Sequence, residues 1–561
     1  MTLRTLTRGV SAHGGPQPLL IASLLAASAL LTACNSGDDD NNGPPTGPIS
    51  SSIACADIVQ RAPTLEGNTT ITSATAITGG TLAISATQTL ANLPNFCRVQ
   101  GVSKPTADST IGFEVWLPTD GWNGRFMSSG EGGFVGALNY TRNGLDGGLD
   151  EIVRRGYVTA STDTGHLASD TFWAIGHPEK VIDYGHRAKH LVTLAAKALT
   201  HTYYGRQPYK SYLNSCSNGG RQALMEVQRY PDDFDGVVAG APWNFQSHSA
   251  AGMIWTAQAL SEAGAAIPAA KLPAIQTAAV AACDATDGLA DGVIEDPRKC
   301  SFDPQSLLCT GADSNSCLTA PQITALNNLY QGPKNPRTGE QIYQGWSRGG
   351  ETGWTGIVTN LPASSPFNLG FGYFANLVYG NPNWDFKTFN FDSDMAFADS
   401  TVGAIGNAME TNMAAARNRG VKVILYQGWN DQTLQPGHTP NYYEQVVGAM
   451  GGITTTQQFA RLFMVPGMTH CYFGPGATSF GGVGQQIPPT RDAAHDLQKA
   501  LEAWVENGSA PETMVATKYT DDAAATRTVK LQRLLCSYPK VARFKPGGDP
   551  NQASGFECVA P

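Results

Sequence analysis

The segment Ser215-Cys216-Ser217-Asn218-Gly219-Gly220 lies between an apolar run, Tyr209 to Leu213, and a helix-patterned run, Gln222 to Arg229. A chain passes this abruptly from a strand into a helix only through a tight turn. Small residues two before and two after Ser217, namely Ser215 and Gly219, allow that turn, which reads as a nucleophile elbow. The turn lifts the Ser217 hydroxyl out of the sheet and sets the Asn218 amide at the positive end of the helix, where a developing oxyanion is stabilised. Cys216 beside such a serine calls for a reason of its own.

The rest of the chain repeats the strand and helix rhythm. Short β-branched or aromatic runs recur at Ile111 to Leu117, Arg125 to Ser128, Tyr157 to Thr162, Tyr209 to Leu213, Gly236 to Ala239, Val421 to Tyr426 and Arg461 to Val465. Helix-patterned stretches such as Tyr184 to Tyr204 and Arg491 to Asn507 fall between them, and this alternation predicts an α/β fold. From about Trp243 to about Arg417 the rhythm breaks into alanine-rich helical segments, two cysteine loops and a dense set of aromatics: Trp346, Trp354, Phe367, Phe371, Tyr373, Phe374, Tyr379 and Trp384. An insertion placed there sits over the strand C-termini, so residues 243–417 are expected to form a lid, with 53–242 and 418–561 as the core. Most of the aromatics are expected to fill the lid's own core, with a few lining a pocket.

At the N-terminus, Arg4 and Arg8 precede an apolar run, Leu19 to Leu31, and Leu31-Thr32-Ala33-Cys34 is similar to a bacterial lipobox. Residues 1–34 therefore read as a lipoprotein signal peptide with Cys34 as the lipidated residue. The run is too short for a membrane span, and 35–52 reads as a disordered tether. The expected location is periplasmic or outer-membrane-anchored, with membrane contact only through that lipid. Charged residues are 15% of the chain and the formal net charge is -9, without basic blocks, so nucleic-acid binding is not expected. A monomer is expected.

Removing Cys34 from the eleven cysteines leaves ten, an even number for an oxidising compartment. Parity leaves the connectivity open. Cys283 with Cys300 and Cys309 with Cys317 would close short loops, Cys55 with Cys97 and Cys536 with Cys558 would tie down the terminal segments, and Cys216 and Cys471 remain.

A serine needs a base, and the base needs an acid to hold its tautomer. After an elbow the expected chain order is Ser, acid, His. Asp431 follows the run Val421 to Tyr426, and His470 follows the run Arg461 to Val465, both in loops at strand ends. His166 precedes the serine, and His438 and His495 lack the strand-end setting. Cys471 directly follows His470, so a bond to Cys216 would require Ser217 and His470 to be neighbours.

The serine with its adjacent cysteine, the Asp, and the His with its adjacent cysteine resemble the pattern of the tannase and feruloyl esterase family, which includes bacterial mono-(2-hydroxyethyl) terephthalate hydrolases. The likeness runs from Cys55 to Cys558 and takes in Trp122-Asn123-Gly124-Arg125-Phe126, Ala239-Gly240-Ala241-Pro242 and Val465-Pro466-Gly467-Met468. The resemblance implies an α/β-hydrolase core with a lid, a triad of Ser217, Asp431 and His470, and the five cysteine pairs given above. It implies an oxyanion hole made by the amides of Asn218 and Gly133, in the loop Gly130-Glu131-Gly132-Gly133-Phe134-Val135-Gly136, with Gly132 as the alternative.

Asp284, Asp287 and Asp291 cluster in Cys283-Asp284-Ala285-Thr286-Asp287-Gly288-Leu289-Ala290-Asp291-Gly292-Val293. Clustered carboxylates with glycines between them suit calcium, but Leu289 and Arg298 stand where an EF-hand needs glycine and glutamate. In the resembling family such a loop holds a structural Ca2+ through the equivalents of these aspartates and the carbonyls of Leu289 and Val293. The function this implies is serine-esterase chemistry, through an acyl-enzyme, on small esters of aromatic, phenolic acids. A terephthalate-monoester hydrolase is the alternative. Specialists of that kind grip the free carboxylate with a lid arginine, and here no arginine occurs between Arg348 and Arg417. The non-enzymatic alternative is a calcium-stabilised surface lipoprotein that binds aromatic ligands.

Overall fold

The computed structural model describes residues 43–143, 145–356, 358–359, 369–521 and 527–561. The signal and lipobox readings, including Cys34, lie outside the described residues, as do Phe367 and the start of the tether. Nine strands form the central sheet: β1 (Thr69–Ile77), β2 (Phe96–Ser103), β3 (Ile111–Pro118), β4 (Arg125–Ser129), β5 (Val158–Thr162), β6 (Lys210–Cys216), β7 (Gly236–Gly240), β8 (Lys422–Gly428) and β9 (Ala460–Val465). Their spatial order is β1-β2-β3-β5-β4-β6-β7-β8-β9. From β5 to β9 every pairing is parallel, while β1, β2 and β3 join antiparallel at one edge.

The seven predicted runs all became strands of this sheet. β5, β6 and β7 are almost wholly buried, so their sequences are apolar on both faces, as a sheet covered by helices on each side requires. Helices α1 (Ala188–Tyr204) and α2 (Asn218–Arg229) pack on one face, where Leu191, Leu199, Leu224 and Val227 meet Val158, Leu213, Val237 and Leu425. Before α1 the chain makes one wider π turn, Asp183–Arg187.

Between β7 and β8 lie the helices α3 (Gln246–Ser261), α4 (Leu272–Cys283) and α5 (Ala320–Gln331), together with short helical turns. Trp346 and Trp354 are buried with Ile275, Leu326 and Leu329 in one cluster. Tyr373, Phe374, Phe389 and Phe391 join Trp173 and Tyr184 in another, which ties this segment to the core. α6 (His438–Ala449) follows β8.

One predicted helix is shorter than expected. α7 begins at Leu497, not Arg491, and ends at Asn507. The Asp496 carboxylate caps it by accepting from the Lys499 amide, and Arg491 upstream is drawn into ion pairs with Asp146, Glu151 and Asp496. Those contacts hold residues 491–496 off the helical path. Beyond α7, two antiparallel hairpins close the chain: β10 (Thr513–Tyr519) with β11 (Val529–Cys536), and β12 (Val541–Phe544) with β13 (Phe556–Val559).

Candidate active site

Ser217 stands between the end of β6 and the start of α2, at φ 65° and ψ -128°. A serine seldom adopts this backbone, and the surroundings hold it there. The Ser217 amide donates to Gly240 O, while its carbonyl accepts from the Arg221 and Trp243 amides. A Cβ on Gly219 would collide with the Ser215 hydroxyl and one on Gly220 with Gly240 O, so both glycines are required by close approach.

Asn218 is the first residue of α2, where a helix amide has no intrahelical acceptor. Its side chain faces the glycine-rich loop: Oδ1 accepts from Tyr184 Oη at 3.1 Å and Arg221 Nε at 2.7 Å, and Nδ2 donates to Glu131 O at 3.4 Å. Tyr184 Oη also lies 3.3 Å from Gly133 O. The fully buried Arg221 takes the carbonyls of Tyr184 and Gly185, which belong to the π turn, so that turn is held against the elbow helix.

Within the loop, Gly133 has φ +58°, and nothing lies within 4 Å of where a Cβ would stand on it or on Gly132. Glu131 anchors the loop from below, through a buried ion pair with Lys189 and bonds from Ser161 Oγ and the Thr162 amide. Its own amide donates to Gln222 Oε1, and is therefore committed elsewhere. A cavity of about 360 Å³ opens beside Gly132 and Gly133, lined by Phe134, His166 and Trp173 from the core and by Leu369, Asn376 and Leu377 from the inserted segment. Among the described residues, the large aromatics of the inserted segment are absent from this lining. Trp346 and Trp354 pack within that segment, and Tyr373 and Phe374 pack against Trp173 and Tyr184.

Asp431 follows β8 and is fully buried. Its Oδ1 accepts from the Thr433 and Leu434 amides, and its Oδ2 lies 2.8 Å from His470 Nδ1. Two backbone bonds, Trp429 N to Val465 O and Asn430 N to Met468 O, zip the acid loop to the loop carrying His470. Gln432 Oε1 completes the zip by accepting from the His470 amide at 3.1 Å. Cys216 and Cys471 form a disulfide, Cα atoms 6.0 Å apart, so the loop that carries Ser217 is bonded to the loop that carries His470. The other four pairs are Cys55–Cys97, Cys283–Cys300, Cys309–Cys317 and Cys536–Cys558.

The remaining histidines of the sequence reading have other employment. His166 stacks on Trp173 with ring centroids 3.9 Å apart, and burial pushes its imidazole down to about 4. His438 is buried against Tyr343, and burial lowers it to about 3. His495 bonds Asp492. Sequence reasoning missed Tyr184, Glu131, Arg221 and Gln432. Only the loop glycines signalled where such partners would gather.

In the acidic loop, a 3-10 turn spans Asp284–Asp287 and the carboxylates accept from the loop's own amides: Asp284 from Asp291 and Gly292, Asp287 from Leu289, and Asp291 from Val293. Arg533 Nη2 reaches Asp291 Oδ2 at 2.7 Å. Asp287, Leu289, Asp291 and Val293 line a second cavity of about 90 Å³, between this loop and the terminal hairpins. Among the described residues, the groups with three ligand atoms mutually within 4.8 Å are His190, Glu226 and Asp233, and the disulfide pair Cys309 and Cys317 with Asp313; the three loop aspartates are not one of them.

Residues 97–559 match the family model for tannase and feruloyl esterase. The chain is 42% identical to an uncharacterized esterase of Xanthomonas campestris, covering 91% of this chain and 92% of that one. It is 34% identical to the mono(2-hydroxyethyl) terephthalate hydrolase of Piscinibacter sakaiensis, covering 85% and 87%. The crystal structure of feruloyl esterase B from Aspergillus oryzae superposes with a TM-score of 0.82 at 28% identity, covering 90% of this chain and 99% of that one.

Proposed function

The chain belongs to the tannase and feruloyl esterase family and is an ester hydrolase of that type; from this premise we propose that it is a serine esterase acting on esters of phenolic acids. Ser217 Oγ attacks the ester carbonyl while His470 takes its proton, and Asp431 holds the imidazole tautomer and stabilises the imidazolium. The amides of Gly133 and Asn218 receive the oxyanion. Collapse expels the alcohol with the proton from His470, leaving the acid as an acyl-enzyme on Ser217. Water activated by the same histidine then releases the acid and restores the hydroxyl.

The observation that carries this reading is the Cys216–Cys471 bridge, which joins the neighbours of nucleophile and base across 255 residues. Ser217→Ala should abolish turnover of methyl gallate and methyl ferulate, roughly a 10⁴-fold fall or more in kcat, with folding unchanged. Persistent turnover would sink the assignment. Fluorophosphonate labelling of Ser217 separates this enzyme from a surface lipoprotein that only binds aromatic ligands. That binder predicts no labelling.

The 34% identity to a terephthalate-monoester hydrolase favours a second reading. Against specialisation of that kind, Arg348 is committed elsewhere: its guanidinium lies 4.3 Å over the Tyr330 ring and its Nε donates to Phe302 O. Relative rates on methyl gallate, methyl ferulate and the terephthalate monoester decide between the two.

We propose a structural calcium at the acidic loop. Three carboxylates and two carbonyls from one disulfide-closed loop are hard oxygen donors, and Arg533 at Asp291 is already one cation drawn to the cluster. Asp284, Asp287 and Asp291, with the carbonyls of Leu289 and Val293, would hold the ion, which would neutralise their repulsion and fix the loop. Lipidation at Cys34 would place the enzyme on a membrane surface, and mass spectrometry of the mature N-terminus tests that.

A further inference from the structure

Asp431 Oδ2 accepts from two donors, and His470 is only one of them. Gln427 Nε2 donates to the same oxygen at 2.9 Å. Gln427 lies in β8 and is 1% exposed. Its amide orientation is set from the far side, because Thr439 Oγ1, in the first turn of α6, donates to Gln427 Oε1 at 2.9 Å. With the carbonyl held by Thr439, the NH2 must face Asp431. The reverse orientation would set a carbonyl oxygen against a carboxylate and leave the Thr439 hydroxyl without its acceptor.

We propose that Gln427 and Thr439 are positioning residues that extend the triad into a line of four bonded groups behind the nucleophile: Thr439, Gln427, Asp431 and His470. The inference rests on the serine-esterase reading above. The two backbone amides of Thr433 and Leu434 fix Oδ1, which leaves Oδ2 to serve the base. By filling one lone-pair direction of Oδ2, Gln427 directs the His470 Nδ1–H to the other and locks the carboxylate plane. It also draws charge from the oxygen that faces the imidazole, so it limits how strongly Asp431 favours the imidazolium.

Removal of the donor therefore has two signatures that a packing role lacks. Gln427→Leu should lower kcat roughly 10- to 100-fold, as loss of a hydrogen bond to a charged group implies, with KM on methyl ferulate nearly unchanged. The acid limb of the kcat/KM pH profile should move upward, because the remaining charge on Oδ2 holds the His470 proton more tightly. Thr439→Val should move both quantities the same way by less. The double variant should be no worse than Gln427→Leu alone, since both changes break one line of bonds.

Gln427→Glu supplies the rescue. A protonated carboxylic acid keeps the amide's donor and acceptor pattern, and a carboxyl beside Asp431 has its proton affinity raised by like-charge repulsion. Activity of this variant should survive on the acid side and fall as the new carboxyl ionises, at a pH where the wild type is fully active. Melting curves and mapping of the Cys216–Cys471 link establish that each variant is folded. If Gln427→Leu does not fold, Thr439→Val and Gln427→Glu carry the test. Wild-type kcat and pH profile in the folded variants overturn the proposal. If Ser217→Ala keeps its activity, the serine-esterase reading falls instead, and the two failures are told apart.

Discussion

Cys216 and Cys471 are bonded with their Cα atoms 6.0 Å apart, and each is the immediate neighbour of one partner in the proposed proton transfer, Ser217 or His470. The bond spans 255 residues, including the whole inserted segment. Closing so long a loop restricts the unfolded chain, an effect typically worth about 2–4 kcal/mol. It also ties the elbow that carries Ser217 directly to the loop that carries His470.

Replacing both cysteines by alanine should accordingly lower Tm and, separately, lower kcat by about 10- to 100-fold, since small misplacement of reacting groups is costly. Cys309 and Cys317 provide the control. Their bridge closes only eight residues, within the inserted segment, and its removal should leave kcat unchanged. Equal kcat in both double variants would mean that the 216–471 bond is structural only.

The oxyanion loop yields a second expectation. Tyr184 is buried with its hydroxyl 3.1 Å from Asn218 Oδ1 and 3.3 Å from Gly133 O, and it accepts from Gln246 Nε2 at 2.7 Å. It therefore sits between the two residues whose amides are assigned to the oxyanion. Tyr184→Phe should reduce kcat by about three- to tenfold, the worth of an ordinary hydrogen bond, and leave KM nearly constant. Steady-state kinetics with unchanged kcat would remove Tyr184 from the positioning of the hole.

The elbow and the two strand-end loops were legible in the sequence because their constraints are local. Gly219 is demanded by the Ser215 hydroxyl four residues before it, and Asp431 and His470 each follow a run whose apolar character marks a buried parallel strand. β1 escaped notice because it is an edge strand whose residues are mostly half-exposed or exposed, many of them threonine or alanine. Tyr184, Gln427 and Thr439 escaped for another reason: their bonds to Asn218, Asp431 and each other are set by how separate elements meet, and no spacing in the chain records that. The same holds for Arg491, whose pull toward Asp146 shortened a helix that its local pattern would have extended.

Calcium removal provides a third test. If the acidic loop holds a structural ion, Tm should rise with free calcium, by an amount equivalent to about 2.7 kcal/mol at a hundred times Kd, and fall on chelation. Asp287→Asn should flatten that dependence. Fluorophosphonate labelling of Ser217 in folded protein should persist without calcium, because no proton transfer in the proposed chemistry involves the ion. A Tm indifferent to calcium and chelator alike would dismiss the site.

The final expectation concerns acid stability. His438 begins α6 beside Thr439, buried and stacked on Tyr343, and burial, followed by the charge of His248, lowers it to about 3. An unfolded histidine takes its proton near 6.5. Between these values the unfolded chain binds a proton that the folded chain refuses, so this residue's contribution is complete above pH 6.5 and is lost as pH falls towards 3, at about 1.4 kcal/mol per pH unit. Asp163 and Glu151, both raised by burial to about 7, act in the opposite sense: the folded chain holds their protons more firmly, and their contribution declines as pH rises from the unfolded carboxylate range. The total slope therefore mixes signs, and the informative quantity is a difference. His438→Gln removes one proton from the linkage, so the stability of the wild type relative to this variant should fall steadily from pH 6.5 to 4 in urea unfolding curves. A difference independent of pH would mean that His438 is protonated in the folded protein.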